Sequence, residues 1–188
     1  MAPADDDAPI FLIGFMASGK TTVGRLLAER LEWTFVDLDK LIEDGAGKTV
    51  SDIFAAEGEA GFRKRETEAL QEVARRRKTV VATGGGAPCR EENLEAMLGA
   101  GRVFWLHVSA EEAVARAGKV SGRPLLDGAA DPVAEAGRLL DARRPFYERA
   151  HAGMDTVGLS PKQIVDELLT LSMAISVMAA DETEALKG

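Results

Sequence analysis

The sequence predicts an α/β fold, a three-layer sandwich in which helices cover both faces of a five-stranded parallel sheet. Short apolar runs recur along the chain, and each is followed by a longer segment whose apolar residues recur at helical spacing. Strands that alternate with helices are joined by right-handed crossovers, which place the strands in parallel within one sheet. The length of 188 residues is typical of a single domain.

The first two strands lie close to the start of the chain. After an acidic arm at 1–9, which we expect to be flexible, the apolar run 10–13 predicts a buried strand. A turn that contains glycine leads into a helix whose leucines recur at helical spacing through Leu31. Residues 34–36 predict a second short strand, which ends at Asp37.

The middle of the chain predicts helices and then a third strand. Helical spacing dominates 38–77 and is interrupted by glycines near 45–47 and at Gly58. The run 79–83 predicts a buried strand that ends in the glycine triplet 84–86.

The fourth strand lies between two further helices. A helix that contains Leu94 and Met97 precedes the apolar run 102–108, which predicts this strand. Ser109 and Glu112 then have the spacing of a capping box, which indicates the start of the next helix.

The end of the chain predicts a loop, two helices and a weak strand. A loop rich in glycine and proline at about 118–131 is followed by a long helix at about 131–149 and a fifth strand at 154–157. Serine followed by proline at 160–161 opens a final helix. The segment after Leu171 either extends this helix or packs against the body.

Composition and charge argue against several classes of protein. A net charge of −8 disfavours binding to nucleic acid or to a membrane surface, because both are polyanionic. A single cysteine, Cys89, allows no intrachain disulfide, and two histidines offer no metal cluster. The apolar stretch 168–180 is too short to span a bilayer, and no signal peptide is evident. We therefore expect a cytoplasmic protein with one domain at 10–171 and an extension at 172–188.

The strongest motif is GFMASGKT at 14–21, which matches G-x-x-x-x-G-K-[ST] and lies between a predicted strand and a predicted helix. The backbone N–H groups of such a loop form an anion site at the helix N-terminus. Lys20 would reach the β- and γ-phosphates, and the Thr21 hydroxyl would bind Mg²⁺ directly. Ala17 stands where many such loops have glycine, and alanine is tolerated there if its φ is negative. The motif predicts a Mg·ATP site that is formed by Ala17, Ser18, Gly19, Lys20, Thr21 and Thr22.

Two carboxylates, Asp37 and Asp39, follow the second strand. Because parallel strands end at a shared edge of the sheet, both side chains would lie near the nucleotide. Asp37 could hold Mg²⁺ through water, and Asp39 could receive the hydroxyl of an acceptor. As an alternative, both are solvated aspartates at the start of a helix, where the helix dipole favours negative charge.

Glycines and an arginine add to this edge. Gly84, Gly85 and Gly86 end the third strand, where the backbone could approach a ligand without obstruction, although a simple turn explains them as well. Arg63 lies on a helix with Glu66 one turn later to orient it. The alternative for this pair is a surface ion pair that contributes little to stability.

In this order, the segments resemble the shikimate kinase family, and the likeness runs from Ile10 to about Val165. The segments that carry it are GFMASGKTT, FVDLD, the FR of GFRKRE, TGGGA, GRPLL and RRPFY. The resemblance implies a P-loop NTPase architecture like that of nucleoside monophosphate kinases. It also implies phosphorylation of the 3-hydroxyl of shikimate by Mg·ATP, a step toward chorismate and the aromatic amino acids. We expect the protein to be a monomer.

The resemblance implies roles for the acceptor-binding residues. Asp39 would bind a ring hydroxyl and serve as the base. Arg63 and Arg143 would clamp the shikimate carboxylate, and Gly85 with its neighbours in the triplet would contribute backbone contacts. The acceptor would lie against the helical region at about 38–77.

The resemblance also implies roles for the nucleotide-binding residues. Arg123, in a lid at about 118–131, would close over the phosphates and stabilise the transferring charge, and Arg116 would flank the adenine. Asp37 would hold Mg²⁺ through water. In the last loop that contacts adenine, this chain has serine and proline at 160–161 where some members have arginine.

Two rival functions remain at this stage. Another small P-loop kinase, for gluconate or a nucleotide, is the nearer one, but a nucleotide acceptor would call for several lid arginines and 119–131 supplies chiefly Lys119 and Arg123. A regulatory GTPase is the other. The D-x-x-G pattern at 155–158 lies too late in the chain for it, and no Asn-Lys-x-Asp motif occurs.

Overall fold

The computed structural model describes residues 5–117 and 131–185. The strands in this part of the chain are β1 (Ile10–Ile13), β2 (Thr34–Asp37), β3 (Thr79–Ala82), β4 (Arg102–His107) and β5 (Ala152–Asp155). They form a parallel sheet in the order β2-β3-β1-β4-β5. This arrangement confirms the predicted α/β class with a five-stranded parallel sheet.

Helices connect each strand to the next. They are α1 (Lys20–Leu31), α2 (Leu38–Ala46), α3 (Val50–Val73), α4 (Glu91–Ala100), α5 (Ala110–Ala117), α6 (Pro132–Tyr147) and α7 (Pro161–Ala185), with a 3₁₀ turn at Ala87–Cys89. The predicted interruption at Gly58 is a kink inside α3, where this glycine has a φ of 70°. Among the described helices, none is long and apolar enough to cross a membrane.

The strands alternate their side chains between two apolar layers. Phe11 and Ile13 of β1 point to the layer that α3, α4 and α6 cover, whereas Ile10 and Leu12 point to the layer that α1 and α7 cover. All four side chains are at most 1% exposed. Burial of a side chain of this size contributes about 1.5–3 kcal/mol, so the strand next to the phosphate loop is firmly anchored.

The end of the chain differs from the prediction at the start of β5. β5 begins at Ala152 rather than at Met154, because Ala152 already pairs with Phe104 of β4. The preceding residue already joins the ladder, since His151 N donates to Val103 O at 2.9 Å. The segment after Leu171 extends the last helix, because α7 continues to Ala185, and it also packs against the body through Ile175.

A buried arginine links the start of the chain to α7. Arg102 of β4 is 3% exposed, and its guanidinium donates to Asp6 Oδ1 at 3.0 Å and to Asp5 O at 3.2 Å. It also donates to Ser172 Oγ at 3.2 Å and Ser176 Oγ at 2.7 Å. The described part of the arm that was expected to be flexible is therefore bonded to the body.

Candidate active site

The phosphate loop folds around its own lysine. Lys20 begins α1 and is 9% exposed. Its ammonium donates to the carbonyl oxygens of Gly14 at 2.9 Å and Phe15 at 2.8 Å. Gly14 has a φ of 138°, and a Cβ there would lie 2.5 Å from the carbonyl oxygen of Leu106. The turn therefore requires glycine at position 14, and it places the Lys20 ammonium near the N-terminus of α1.

Ala17, in the middle of the loop, does not meet the condition under which alanine would be unstrained. Its φ is 59°, in the left-handed region, and not negative. This conformation costs a residue with a Cβ about 1–2 kcal/mol. Arg116 contacts the strained residue, since Nη1 donates to Ala17 O at 3.3 Å. Strain of this kind persists where surrounding contacts fix the backbone, as in many ligand-binding loops.

Thr21 and Asp37 meet at the end of β2. The Thr21 hydroxyl donates to Asp37 Oδ2 at 2.8 Å, and the other carboxylate oxygen accepts from Lys40 N at 3.4 Å as the cap of α2. A hydroxyl beside a carboxylate, both at the edge of an anion site, offers the oxygen ligands that Mg²⁺ prefers. The two residues therefore fit the metal site that the sequence predicts.

Asp39 lies in the first turn of α2 and lines the same cleft as Lys20. Burial raises the pKa of its carboxyl, and the nearby charge of Asp37 raises it further. The positive charges of Lys20 and Arg63 oppose this effect. A carboxylate with a raised pKa is a better proton acceptor than an exposed aspartate, as general base catalysis requires.

The first glycine of the triplet faces two carboxylates. A Cβ at Gly84 would lie 2.9 Å from Asp39 Oδ1 and 3.3 Å from Glu66 Oε1. Any side chain there would force Asp39 to move. The absence of a side chain at Gly84 therefore lets β3 end directly beside the candidate base.

Arg63 lies against the third glycine and is held by a buried partner. Its Nη1 donates to both carboxylate oxygens of Glu66, at 2.9 and 3.1 Å. The Glu66 side chain is fully buried, and burial raises the pKa of its carboxyl against the opposing charge of Arg63. A Cβ at Gly86 would lie 2.9 Å from Arg63 Nη2. The contact that the spacing of Arg63 and Glu66 predicted is therefore an ion pair with a buried carboxylate and not a surface ion pair.

Arg143 approaches the middle glycine from α6. A Cβ at Gly85 would lie 3.2 Å from Arg143 Nη1, and the guanidinium carbon lies 5.5 Å from the centre of the Phe15 ring. This places a second arginine beside the triplet and over the ring of Phe15, in the phosphate loop. The structure thus brings Arg63 and Arg143 to adjacent glycines, although they are far apart in the sequence.

A cleft of about 1200 Å³ joins most of these groups. The predicted residues that line it are Ala17, Ser18, Gly19, Lys20, Thr21, Thr22, Asp37, Asp39, Gly84, Gly85 and Arg116. Gly86, Arg63 and Arg143 are not among the residues that line this cleft, but each arginine lies beside a glycine of the triplet. Arg123 and positions 118–130 of the predicted lid lie outside the described residues.

The other end of the cleft contains residues that the sequence did not single out. Thr156, Leu159 and Ile164 line it beside Arg116 and Pro161. Arg116 Nη2 donates to Thr156 O at 3.3 Å, which holds the guanidinium beside these residues. Apolar side chains together with a planar cation suit a flat aromatic ring. Of the D-x-x-G pattern at 155–158, Thr156 thus lines the cleft, just after the end of β5.

Comparisons with known proteins agree on one family. A family model described as shikimate kinase matches residues 16–172. A shikimate kinase of Symbiobacterium thermophilum is 50% identical over 163 residues, which cover 85% of this chain and 93% of the relative. A shikimate kinase of Bordetella pertussis is 46% identical over 164 residues, which cover 87% of this chain and 77% of the relative.

Solved structures extend the agreement to the fold. The shikimate kinase of Acinetobacter baumannii in complex with shikimate aligns with a TM-score of 0.86 and 38% identity, over 92% of this chain and 98% of that one. A gluconokinase of Sinorhizobium meliloti 1021, at 20% identity and a TM-score of 0.61, covers 94% of this chain and 97% of its own, and shares only the fold. The chain described here belongs to the shikimate kinase family.

Proposed function

We propose that this protein transfers the γ-phosphoryl group of Mg·ATP to the 3-hydroxyl of shikimate. The product would be shikimate 3-phosphate, on the route to chorismate and the aromatic amino acids. The observation that carries the proposal is the position of Asp39, which lines one cleft with Lys20 and lies beside Gly84. Arg143 and Arg63 lie beside the other two glycines of the triplet. The family of the chain supports the same reaction.

The donor half of the site is the phosphate loop. Lys20 would exchange its two carbonyl partners in the loop for oxygens of the β- and γ-phosphates. Thr21, directly, and Asp37, through water, would hold Mg²⁺, which neutralises charge on the phosphates when it is bound. Arg116 and the apolar wall at Leu159 would take the adenine.

The acceptor half lies at the glycine triplet, beside Asp39. Shikimate carries a planar carboxylate, and a guanidinium binds such a group through paired N–H donors. Arg63 and Arg143 stand on adjacent glycines, so they would take this carboxylate together. Asp39 would align the 3-hydroxyl for in-line attack and accept its proton, because burial and Asp37 raise the pKa of its carboxyl.

Positioning and charge stabilisation would supply most of the catalysis. Phosphoryl transfer passes through a loose transition state whose charge lies on the phosphoryl oxygens. Lys20 would neutralise part of that charge, and we propose that Arg123 in the lid at about 118–131 supplies more. An arginine in this role contributes about 10³-fold or more to the rate.

An acceptor panel tests the proposal. Release of ADP is followed with Mg·ATP and, in turn, shikimate, gluconate and a nucleoside monophosphate. We expect shikimate to raise turnover far above the ATPase background and the other two acceptors to leave it unchanged. Turnover that depends on gluconate would assign the cleft to a different acid, because gluconate also offers a carboxylate to the two arginines.

We also propose a monomer in the cytoplasm that binds neither nucleic acid nor membrane. Its kinase domain would comprise 10–171, with the acceptor-binding region at about 38–77. The net charge of −8 supports the lack of polyanionic partners. Light scattering during size-exclusion chromatography tests the monomer, which has a mass of 20.0 kDa.

A further inference from the structure

The single tyrosine of the sequence has a buried hydroxyl bonded to the active site. Tyr147 ends α6 and is fully buried. Its hydroxyl donates to the carbonyl oxygen of Gly85 at 2.6 Å. The ring packs against Trp105 of β4, with the ring centres 5.7 Å apart. The orientation of the hydroxyl is therefore set by the core, and none of the roles assigned above uses it.

Gly85 is the point where the donor loop and the acceptor site touch. A Cβ on Gly85 would lie 3.4 Å from Gly14 O and 3.5 Å from Met16 N, both of the phosphate loop. The same Cβ would lie 3.2 Å from Arg143 Nη1. A rotation of this residue would therefore change the position of the triplet relative to both halves of the site.

Little else restrains the Gly85 carbonyl. A run of three glycines has wide backbone freedom, so contacts from outside the run must select its conformation. The other recorded donor to Gly85 O in the described structure is Cys89 Sγ at 3.9 Å, and a thiol is a weak donor. Because a peptide is planar, fixing the Gly85 carbonyl also fixes the direction of the Gly86 N–H.

Tyr147 also stands one turn after Arg143 on the same helix. The charge of Arg143 acts on the phenol, so the two side chains approach the triplet together. α6 therefore places two groups at Gly85: the Arg143 guanidinium, which would bind the substrate, and the Tyr147 hydroxyl, which donates to the backbone.

We propose that Tyr147 is a positioning residue for phosphoryl transfer. Its hydroxyl holds the Gly85 peptide and thereby sets the acceptor site at a fixed distance from the phosphate loop. The inference rests on the proposed function, because it concerns the alignment of shikimate with ATP.

The test is Tyr147→Phe, which removes the hydroxyl and keeps the ring. We expect kcat/KM for shikimate to fall about tenfold or more, since a buried acceptor loses its strong donor, while KM for ATP stays within about twofold. The matched control is Thr79→Val at the opposite end of β3. The Thr79 hydroxyl is buried and donates to Arg77 O at 2.9 Å, so the control also removes a hydroxyl-to-carbonyl bond.

The two variants separate alignment from general stability. Both are expected to lower the melting temperature, and Thr79→Val is expected to leave kcat/KM for shikimate and KM for ATP within about twofold of the wild type. The inference is overturned if Tyr147→Phe matches Thr79→Val in both kinetic constants. A wild-type protein that does not phosphorylate shikimate would instead overturn the proposed function.

A second measurement does not depend on the fold of a variant. Because Tyr147 is the single tyrosine, incorporation of 3-fluorotyrosine places one fluorine label at this position. We expect the ¹⁹F resonance to shift when saturating shikimate is added, because the substrate would bind against the peptide that the hydroxyl holds. A resonance that does not respond to shikimate would overturn the inference.

Discussion

Replacing Arg63 with alanine removes two things at once, a proposed ligand of shikimate and the partner of a buried carboxylate. Arg63 Nη1 lies 2.9 and 3.1 Å from the oxygens of Glu66, whose side chain has no exposed surface. Glu59 also contacts Arg63, at 3.4 Å, but its side chain is 71% exposed. The loss of Arg63 therefore leaves Glu66 without its nearest positive charge.

The cost of that loss is large. Breaking a buried ion pair by removal of one partner costs about 3–5 kcal/mol, and we take the lower end because the Arg63 side chain is 21% exposed. In a chain of this size, a loss of about 3 kcal/mol lowers the melting temperature by about 6–12 °C. Burial raises the pKa of Glu66 already, and loss of Arg63 raises it further. A raised pKa in the folded state gives stability at low pH that is lost as the pH rises, so the deficit is larger at pH 7 than at pH 5.

Three variants and two assays test this reasoning. Melting is followed by circular dichroism for Arg63→Ala, for the double variant Arg63→Ala/Glu66→Gln and for the control Arg65→Ala. The control breaks the partly exposed pair of Arg65 and Glu57, at 2.8 Å on the same helix, and we expect it to cost less than about 1 kcal/mol. The double variant should regain most of the lost stability, because an amide costs less to bury than an unpaired carboxylate.

We do not expect the double variant to regain affinity for shikimate when it regains stability. We expect both variants that lack Arg63 to bind ATP normally and shikimate weakly, as measured by calorimetric titration. An Arg63→Ala protein that melts within about 2 °C of the wild type would refute the energetic argument. A loss of ATP affinity alone would refute the assignment of Arg63 to the substrate carboxylate.

Three further predictions concern single residues. Asp39→Asn should lower kcat by about 10²–10⁴ and leave ATP binding nearly intact. The melting temperature at pH 7 should rise, because burial and Asp37 raise the pKa of a carboxyl that is ionised at that pH, and a lower melting temperature would contradict this. Ala17→Gly should raise the free energy of unfolding in urea by about 0.5–1 kcal/mol, because it relieves the positive φ, and a decrease would contradict the strain. Tyr147 should show no phenolate absorbance near pH 10 in the folded protein, because burial raises the pKa of its hydroxyl. Titration like that of an exposed tyrosine would show that the ring is not in the core.

The features that the sequence predicted well are local. The phosphate loop, the aspartates after β2 and the glycine triplet after β3 each follow directly from a short segment, and parallel pairing brings the strand ends together. The pairing of Arg63 with Glu66 was predicted for the same reason, since one helical turn separates them.

The features that the sequence did not predict depend on contacts between distant segments. The positive φ of Ala17 goes with closure of the loop and with Arg116, 99 residues away. The start of β5 depends on its register against β4, which apolar periodicity does not report. The bond from Tyr147 to Gly85 joins residues 62 positions apart, and no local pattern marks it.

A crystal structure with shikimate and Mg·ADP would test the central claim most directly. The account predicts that the ring occupies the space beside the glycine triplet, with its carboxylate between Arg63 and Arg143 and its 3-hydroxyl at Asp39, while the phosphates of ADP contact Lys20. Shikimate bound at a place remote from Asp39, with the phosphate loop filled by ADP, would contradict the account.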